Sequence, residues 1–161
     1  MALKKPLVVG TNGLPQQLQA GDTMDVPTSG ANTMAVVNNE AGAVVIGAPM
    51  YYQAAGAVQK ARANAVGTAR VAGLMYDVST AAAATGNMAT DGVMSATTGQ
   101  WDAVTGQTGG LTFNQIYFLD PATAGKLTIT PPVTVGQLVV KIGIAKSSVD
   151  MLISIEPEIL L

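Results

Sequence analysis

Through the last third of the chain, residues 109–161, apolar and polar positions alternate with a period of two. Ile116 and Phe118 fall on one parity, as do Leu127 and Ile129, then Leu138, Val140, Ile142 and Ile144, then Met151, Ile153 and Ile155. Successive side chains of an extended strand point to opposite faces, so this pattern predicts four short strands, each with one apolar face. Asp120-Pro121, Ala124-Gly125, Pro131-Pro132 and Gly136 lie between the runs, where residues that fix or free the backbone make turns. Those apolar faces supply a core and also a subunit interface.

Upstream, shorter apolar runs predict strands over Thr33–Asn38, Ala43–Ile46, Met50–Gln53 and Val71–Tyr76, with Gly73 marking a bulge or a close backbone approach. The alanine-rich stretch Gly56–Ala65 has helical propensity but is short, and predicts one helical turn or an ordered loop. Between Ser79 and Gly110 the chain is rich in Ala, Thr and Gly, with Ala81–Ala84 in a row, and only Met88–Ser95 reads as a strand. Trp101, the single tryptophan, lies between two Gly-containing turns.

Residues 1–27 differ from the rest of the chain. An extended apolar segment, Leu3, Lys4, Lys5, Pro6, Leu7, Val8 and Val9, runs into Asn12-Gly13, a pair that favours a hairpin turn, and then into Leu14, Pro15 and Leu18. A frayed terminus has little need of Leu7, Val8 and Val9, so the segment reads as an arm that docks on a neighbouring subunit or a foreign surface. The expected fold is therefore mainly β. A compact β-barrel or sandwich-like body over 28–161, with little helix, carries an extended N-terminal arm over 1–27.

Composition changes the picture in one respect. The 161 residues are 48% hydrophobic but only 11% charged and 4% aromatic, against about 25% charged in an ordinary soluble domain. A chain this short of charge leaves weakly polar surface for copies of itself or a larger assembly to cover. The net charge of −2, with its eight basic residues scattered, argues against nucleic acid as a partner. Pro6, Gly10, Asn12 and Gly13 interrupt any apolar stretch behind Lys4 and Lys5, so no export signal is read there. The longest apolar stretch, Ala41–Tyr52, is far below the roughly 20 residues of a membrane span, so no membrane is expected either.

The chemistry is mostly excluded. Histidine and cysteine are both absent, which removes the usual general base at neutral pH, thiol nucleophiles and zinc-type clusters. Asp77, Asp91, Asp102 and Asp120 each sit near a turn, where aspartate caps its own backbone. Glu156 and Glu158 flank Pro157 on one parity of an extended segment and read as solvated or paired across an interface. Lys60, Arg62 and Arg70 form a loose basic group on a solvated face, and no phosphate-binding glycine motif occurs. The expectation is a protein that is not an enzyme, with no catalytic residue, metal or cofactor. Trp101, Tyr51 and Tyr52 are the candidate interface anchors, with a buried core position as the other reading of Trp101.

A resemblance adds to this. Pro6-Leu7-Val8 followed by Gln17-Leu18-Gln19-Ala20-Gly21-Asp22-Thr23 resembles segments repeated across virion proteins of tailed bacteriophages, in trimeric fibres and head-decoration proteins. Gly110-Leu111-Thr112, Ile116–Leu119, Ala124–Thr128, Gly136-Gln137 and Val140–Ala145 are similar to the closing domain of the same group. Phe113-Asn114 stands where that group has a Pro-Gly turn. The resemblance implies a structural head protein, a homotrimeric capsid decoration or cement protein. It would be made in the host bacterial cytoplasm and bind the major capsid protein on the virion surface. The arm residues Leu3–Val9, Leu14 and Leu18 would touch capsid or a neighbouring subunit. The alternative is a tail-fibre or receptor- and glycan-binding module, with Trp101, Tyr51 and Tyr52 as contact aromatics.

Overall fold

The computed structural model describes residues 30–161 and, ahead of them, the backbone of two strands, β1 (Leu7–Val9) and β2 (Pro15–Gln17). These pair antiparallel, with Leu7 opposite Gln17 and Val9 opposite Pro15, so Asn12-Gly13 lies between the two arms of a hairpin. Of the expected docking residues, Leu7, Val8 and Val9 form β1, whereas Leu3, Lys4, Lys5, Pro6, Leu14 and Leu18 lie outside the described residues.

The body comprises β3 (Asn32–Asn38), β4 (Val44–Val45), β5 (Pro49–Ala54), β6 (Ala57–Lys60), α1 (Val66–Ala69), β7 (Val71–Met75), β8 (Ser79–Thr80), β9 (Thr85–Ser95) and α2 (Thr98–Thr105). The closing block is β10 (Ile116–Leu119), β11 (Leu127–Thr128), β12 (Leu138–Val139), β13 (Lys141–Ala145), β14 (Asp150–Ile153) and β15 (Ile159–Leu160). Residues 30–161 are mainly β, 42% strand against 9% helix, with a closed five-strand barrel and extra strands, as the alternation and the sparse helical signal predict.

The barrel closes in the order β9, β3, β6, β5, β7 and back to β9. Every pairing in it is antiparallel except β3 with β6. Closure leaves no free edge, which short strands of this kind need. Beyond the barrel, β9 continues into a second sheet in the order β9, β14, β13, β10, β11. The 11 residues of β9 thus serve both structures: Thr85–Asp91 pair with β3, and Gly92–Ser95 with β14. The changeover falls on Gly92, whose φ of +86° suits glycine, and a Cβ there would lie 2.6 Å from the carbonyl oxygen of Gly30.

The fully buried side chains form one cluster that runs through barrel and sheet, including Met50, Leu74, Met88, Tyr117, Ile142 and Met151. In a chain with one tryptophan and two phenylalanines, unbranched methionine fills the irregular gaps that aromatic rings fill elsewhere. At Gly73 a Cβ would collide with the carbonyl oxygen of Ala89, and the register against β5 slips between Met50 and Tyr51. Both the close approach and the bulge expected there are present.

Four local expectations are corrected. The first half of the alanine-rich stretch, Ala57–Lys60, is strand β6 rather than a helical turn or loop, because β5 and β3 bind it from both sides and tertiary pairing outweighs alanine's propensity; Ala61–Ala65 form a loop, the other expectation for this stretch. Trp101 lies on a helix, α2, rather than in a loop; the Thr97 hydroxyl accepts from the Gln100 N–H while the Gln100 side chain accepts from the Thr97 N–H, a capping box. The run from Leu138 to Ile144 is two strands, and a register shift opposite β10 buries both Ile142 and Gly143, which turns Ile144 to the other face. Ile129 is exposed, because β11 ends at Thr128. At Phe113-Asn114 the turn takes a positive φ at Asn114 (61°), a conformation asparagine tolerates.

Candidate functional site

The carboxylates come first, because they are the groups with chemistry to offer. Asp77 accepts from the backbone N–H of Asn87 at 2.9 Å and Asp102 from that of Gly110 at 2.7 Å, while Asp120 accepts from Ala122 and Thr123. Asp120 thus caps its own turn, as expected, whereas Asp77 and Asp102 reach across to backbone ten and eight residues further along the chain. Asp91 hydrogen-bonds to the Asn32 side chain across the β3–β9 pair. Glu156 pairs with Lys141 at 2.5 Å and Glu158 with Arg70 at 3.1 Å, so both close ion pairs within their own chain. Among the described residues, no three of His, Cys, Asp or Glu stand together as a metal site would require. No helix of the described residues is long and apolar enough to cross a membrane.

Trp101 is fully buried in its own chain, and this corrects its role as an interface anchor: it has no surface to offer a partner. Its Nε1–H donates to the Val149 carbonyl at 2.9 Å, and its ring packs over Gly47, where an added Cβ would lie 3.0 Å from Cζ3. Tyr51 is half-buried and its hydroxyl donates to Gln59 Oε1 at 3.0 Å. Tyr52, its neighbour on β5, points the other way, is 44% exposed and sets its hydroxyl 3.0 Å from Met34 Sδ. The structure therefore brings no two of the three aromatics onto one surface.

What the fold does assemble is an apolar surface. The register sets Ile116 opposite Ile144, Ile144 opposite Leu152, and Leu152 opposite Val93. These four side chains form one row across β10, β13, β14 and β9, on the face turned away from the buried Tyr117, Ala145, Met151 and Met94. Leu152 is 40% exposed and Ile116 is exposed, with Ile144 and Val93 half-buried. An antiparallel sheet with one face in water usually carries polar residues on that face, so this row is out of place on an isolated chain. A second apolar patch stands beside the β12–β15 ribbon, where Leu161 exchanges backbone hydrogen bonds with Gly136 and Gln137. Val133 and Val135, on the loop before it, are 83% and 88% exposed, and Ile159 and Leu160 are exposed too.

Sequence reasoning by strict alternation misses this row. Its signal is in the sequence nonetheless: Ile116-Tyr117, Gly143-Ile144, Met151-Leu152-Ile153 and Val93-Met94 are consecutive apolar positions, the mark of strands covered on both faces.

One border of the row is acidic and tightly held. Asp150, opposite Ser95, accepts from the Ser95 hydroxyl at 2.5 Å and from the Ser147 hydroxyl at 2.8 Å. The Ser95 bond first, then the Ser147 bond, favour the charged form and hold its carboxyl below the ordinary value of 3.8. A carboxyl depressed in the folded state contributes stability above the unfolded value, lost as pH falls through the folded one. In urea titrations between pH 5 and 2, the stability advantage of the natural chain over Asp150→Asn should therefore shrink as pH drops below 3.8. An advantage that stays constant over that range would show that the carboxylate's charge is not what the two serines stabilise.

Fold and surface together define a mainly β protein, a closed five-strand barrel extended by a sheet. Its most distinctive surface is apolar and uncharged. No protein-family model matches the chain, and neither curated proteins nor solved structures gave a match.

Proposed function

We propose that this chain is a structural subunit of a tailed-bacteriophage virion, one that binds the outside of the capsid as an oligomer and stabilises the shell by bridging major capsid subunits. The supporting observation is the row Ile116–Ile144–Leu152–Val93, an apolar strip on a charge-poor chain that calls for a protein surface to cover it. The resemblance to decoration proteins supplies the trimer, the capsid as partner and the virion surface as location.

The physical logic is linkage. A ligand that binds only the assembled, expanded lattice shifts the equilibrium toward it by mass action, so many copies hold the shell against internal pressure without any catalytic step. A trimer brings three arms to one lattice position, and contacts that are weak singly add through effective concentration. In this arrangement the body makes the oligomer and the segment from Leu3 to Gln19 contacts capsid or a neighbouring subunit.

Deleting residues 1–19 should leave a soluble oligomer whose binding to undecorated capsids, read by co-sedimentation, is weaker by about a hundredfold or more, the order of gain that multivalency gives. Capsid binding at full strength by the truncated chain would sink the proposal.

A further inference from the structure

We propose that the outer face of the β9–β14–β13–β10 sheet is the seat of the β1–β2 hairpin from a neighbouring copy of the chain. The inference rests on the assembly reading above, but no step in it needs a capsid.

The seat has the build of an interface. Its four registered residues span three strand spacings, about 14 Å, and carry no charge. Polar pairs lie to either side of the row, Ser95 with Asp150 on one and Asn32 with Asp91 on the other, which gives an apolar centre with a polar rim.

The hairpin has the build of an occupant. Two strands of three residues each cannot hold themselves together in water and need a sheet to lie on. From Leu7 to Gln17 the sequence LVVGTNGLPQQ has no charged residue, so docking on the row buries no unpaired charge.

The connection is long enough to reach a neighbour. Gly30, the first described residue of the body, packs against Gly92, next to the Val93 end of the row. The arm therefore leaves the body at the edge of its own seat, and laying the hairpin there requires about five extended residues at most. Residues 18–29 provide more than twice that and reach up to about 40 Å. A body of roughly 130 residues has a radius of gyration of about 14 Å and so measures about 36 Å across. The linker is as long as one subunit is wide. Each copy then lays its arm on the next, and in a ring every seat is filled.

The chain has no cysteine, which permits a clean cross-linking test on purified protein without capsids. Val9→Cys and Leu152→Cys chains are co-expressed, oxidised mildly and run on a non-reducing gel. The expected product is a mixed disulfide of about twice the 16.3 kDa chain mass, at least about tenfold more abundant than that from a control in which Val78→Cys, at an exposed turn, replaces Leu152→Cys. No excess over the control overturns the proposal. So does a double variant that links only within single chains, because the hairpin would then lie on its own body. A second variant, Leu152→Lys, should weaken self-association in sedimentation by about tenfold or more with its thermal transition unchanged. Unaltered association would also overturn it. Failure of capsid co-sedimentation alone, with the mixed disulfide present, would count against the virion reading and leave this seat standing.

Discussion

Trp101→Ala is expected to lower the free energy of unfolding by about 3–5 kcal/mol, the usual cost of emptying a large aromatic site in a core. For a domain of this size each kcal/mol moves the melting temperature by about 2–4 °C, so the transition should fall by roughly 6–20 °C. The site is made from both ends of the body. The ring lies over Gly47, ahead of the barrel strand β5, and its Nε1–H reaches the carbonyl of Val149, at the entry to β14. Truncation empties the space between them and leaves that carbonyl only its bond from the Ala96 N–H at 2.9 Å. Trp101→Phe keeps most of the volume and loses one hydrogen bond to a carbonyl that still accepts from Ala96, so it should cost about 0.5–1.5 kcal/mol. Chemical denaturation of the three proteins checks both numbers, and a Trp101→Ala chain within about 1 kcal/mol of the natural one would mean that α2 does not join barrel to sheet.

Asn38→Ala should be nearly as damaging, at about 2–4 kcal/mol, for a different reason. Asn38 is fully buried at the end of β3. Its Nδ2 reaches the carbonyls of Gly42 (3.0 Å), Thr80 (2.8 Å) and Ala81 (3.0 Å), and its Oδ1 accepts from the Glu40 N–H at 2.9 Å. An amide has two N–H hydrogens, so one is shared between two of the three carbonyls. The side chain satisfies the backbone of two loops at once. Alanine leaves those groups facing a space too small for several waters. Asn38→Asp sets a carboxylate against three carbonyls and should be worse than alanine, whereas a simple volume effect would make it milder. Equilibrium unfolding of the pair decides between the two explanations.

The Asn38 site also shows what the sequence does and does not reveal. Ala81–Ala84 reads as low complexity, yet this is the turn that wraps the Asn38 amide, with Ala83 held at φ 58° and its N–H donated to the Asn38 carbonyl. Small side chains let the backbone come that close. Nothing local in four alanines announces a partner more than forty residues away. Strands are legible where one face meets the core, which is why Met151 and Ile153 mark β14. Barrel closure is not, because it depends on Leu74 meeting Ala89 and Met75 meeting Met88. Helix α2 is signalled by Thr97 and Gln100, whose spacing is that of a capping box; the glycines on either side of Trp101 favour a loop reading instead. The candidate surface is the least legible part, since it is created by register: Ile116, Ile144, Leu152 and Val93 come from four separate runs, and only pairing aligns them.

The position of β3 bears on how the molecule carries mechanical load. Tension applied through the arm enters the body at Gly30 and runs straight into β3, which is hydrogen-bonded to β9 over six registered pairs and to β6 on its other side. These bonds lie across the strand direction, so a pull along β3 strains them together, in shear, rather than opening them one after another. The strand nearest the tether is thus the one best placed to resist being drawn out.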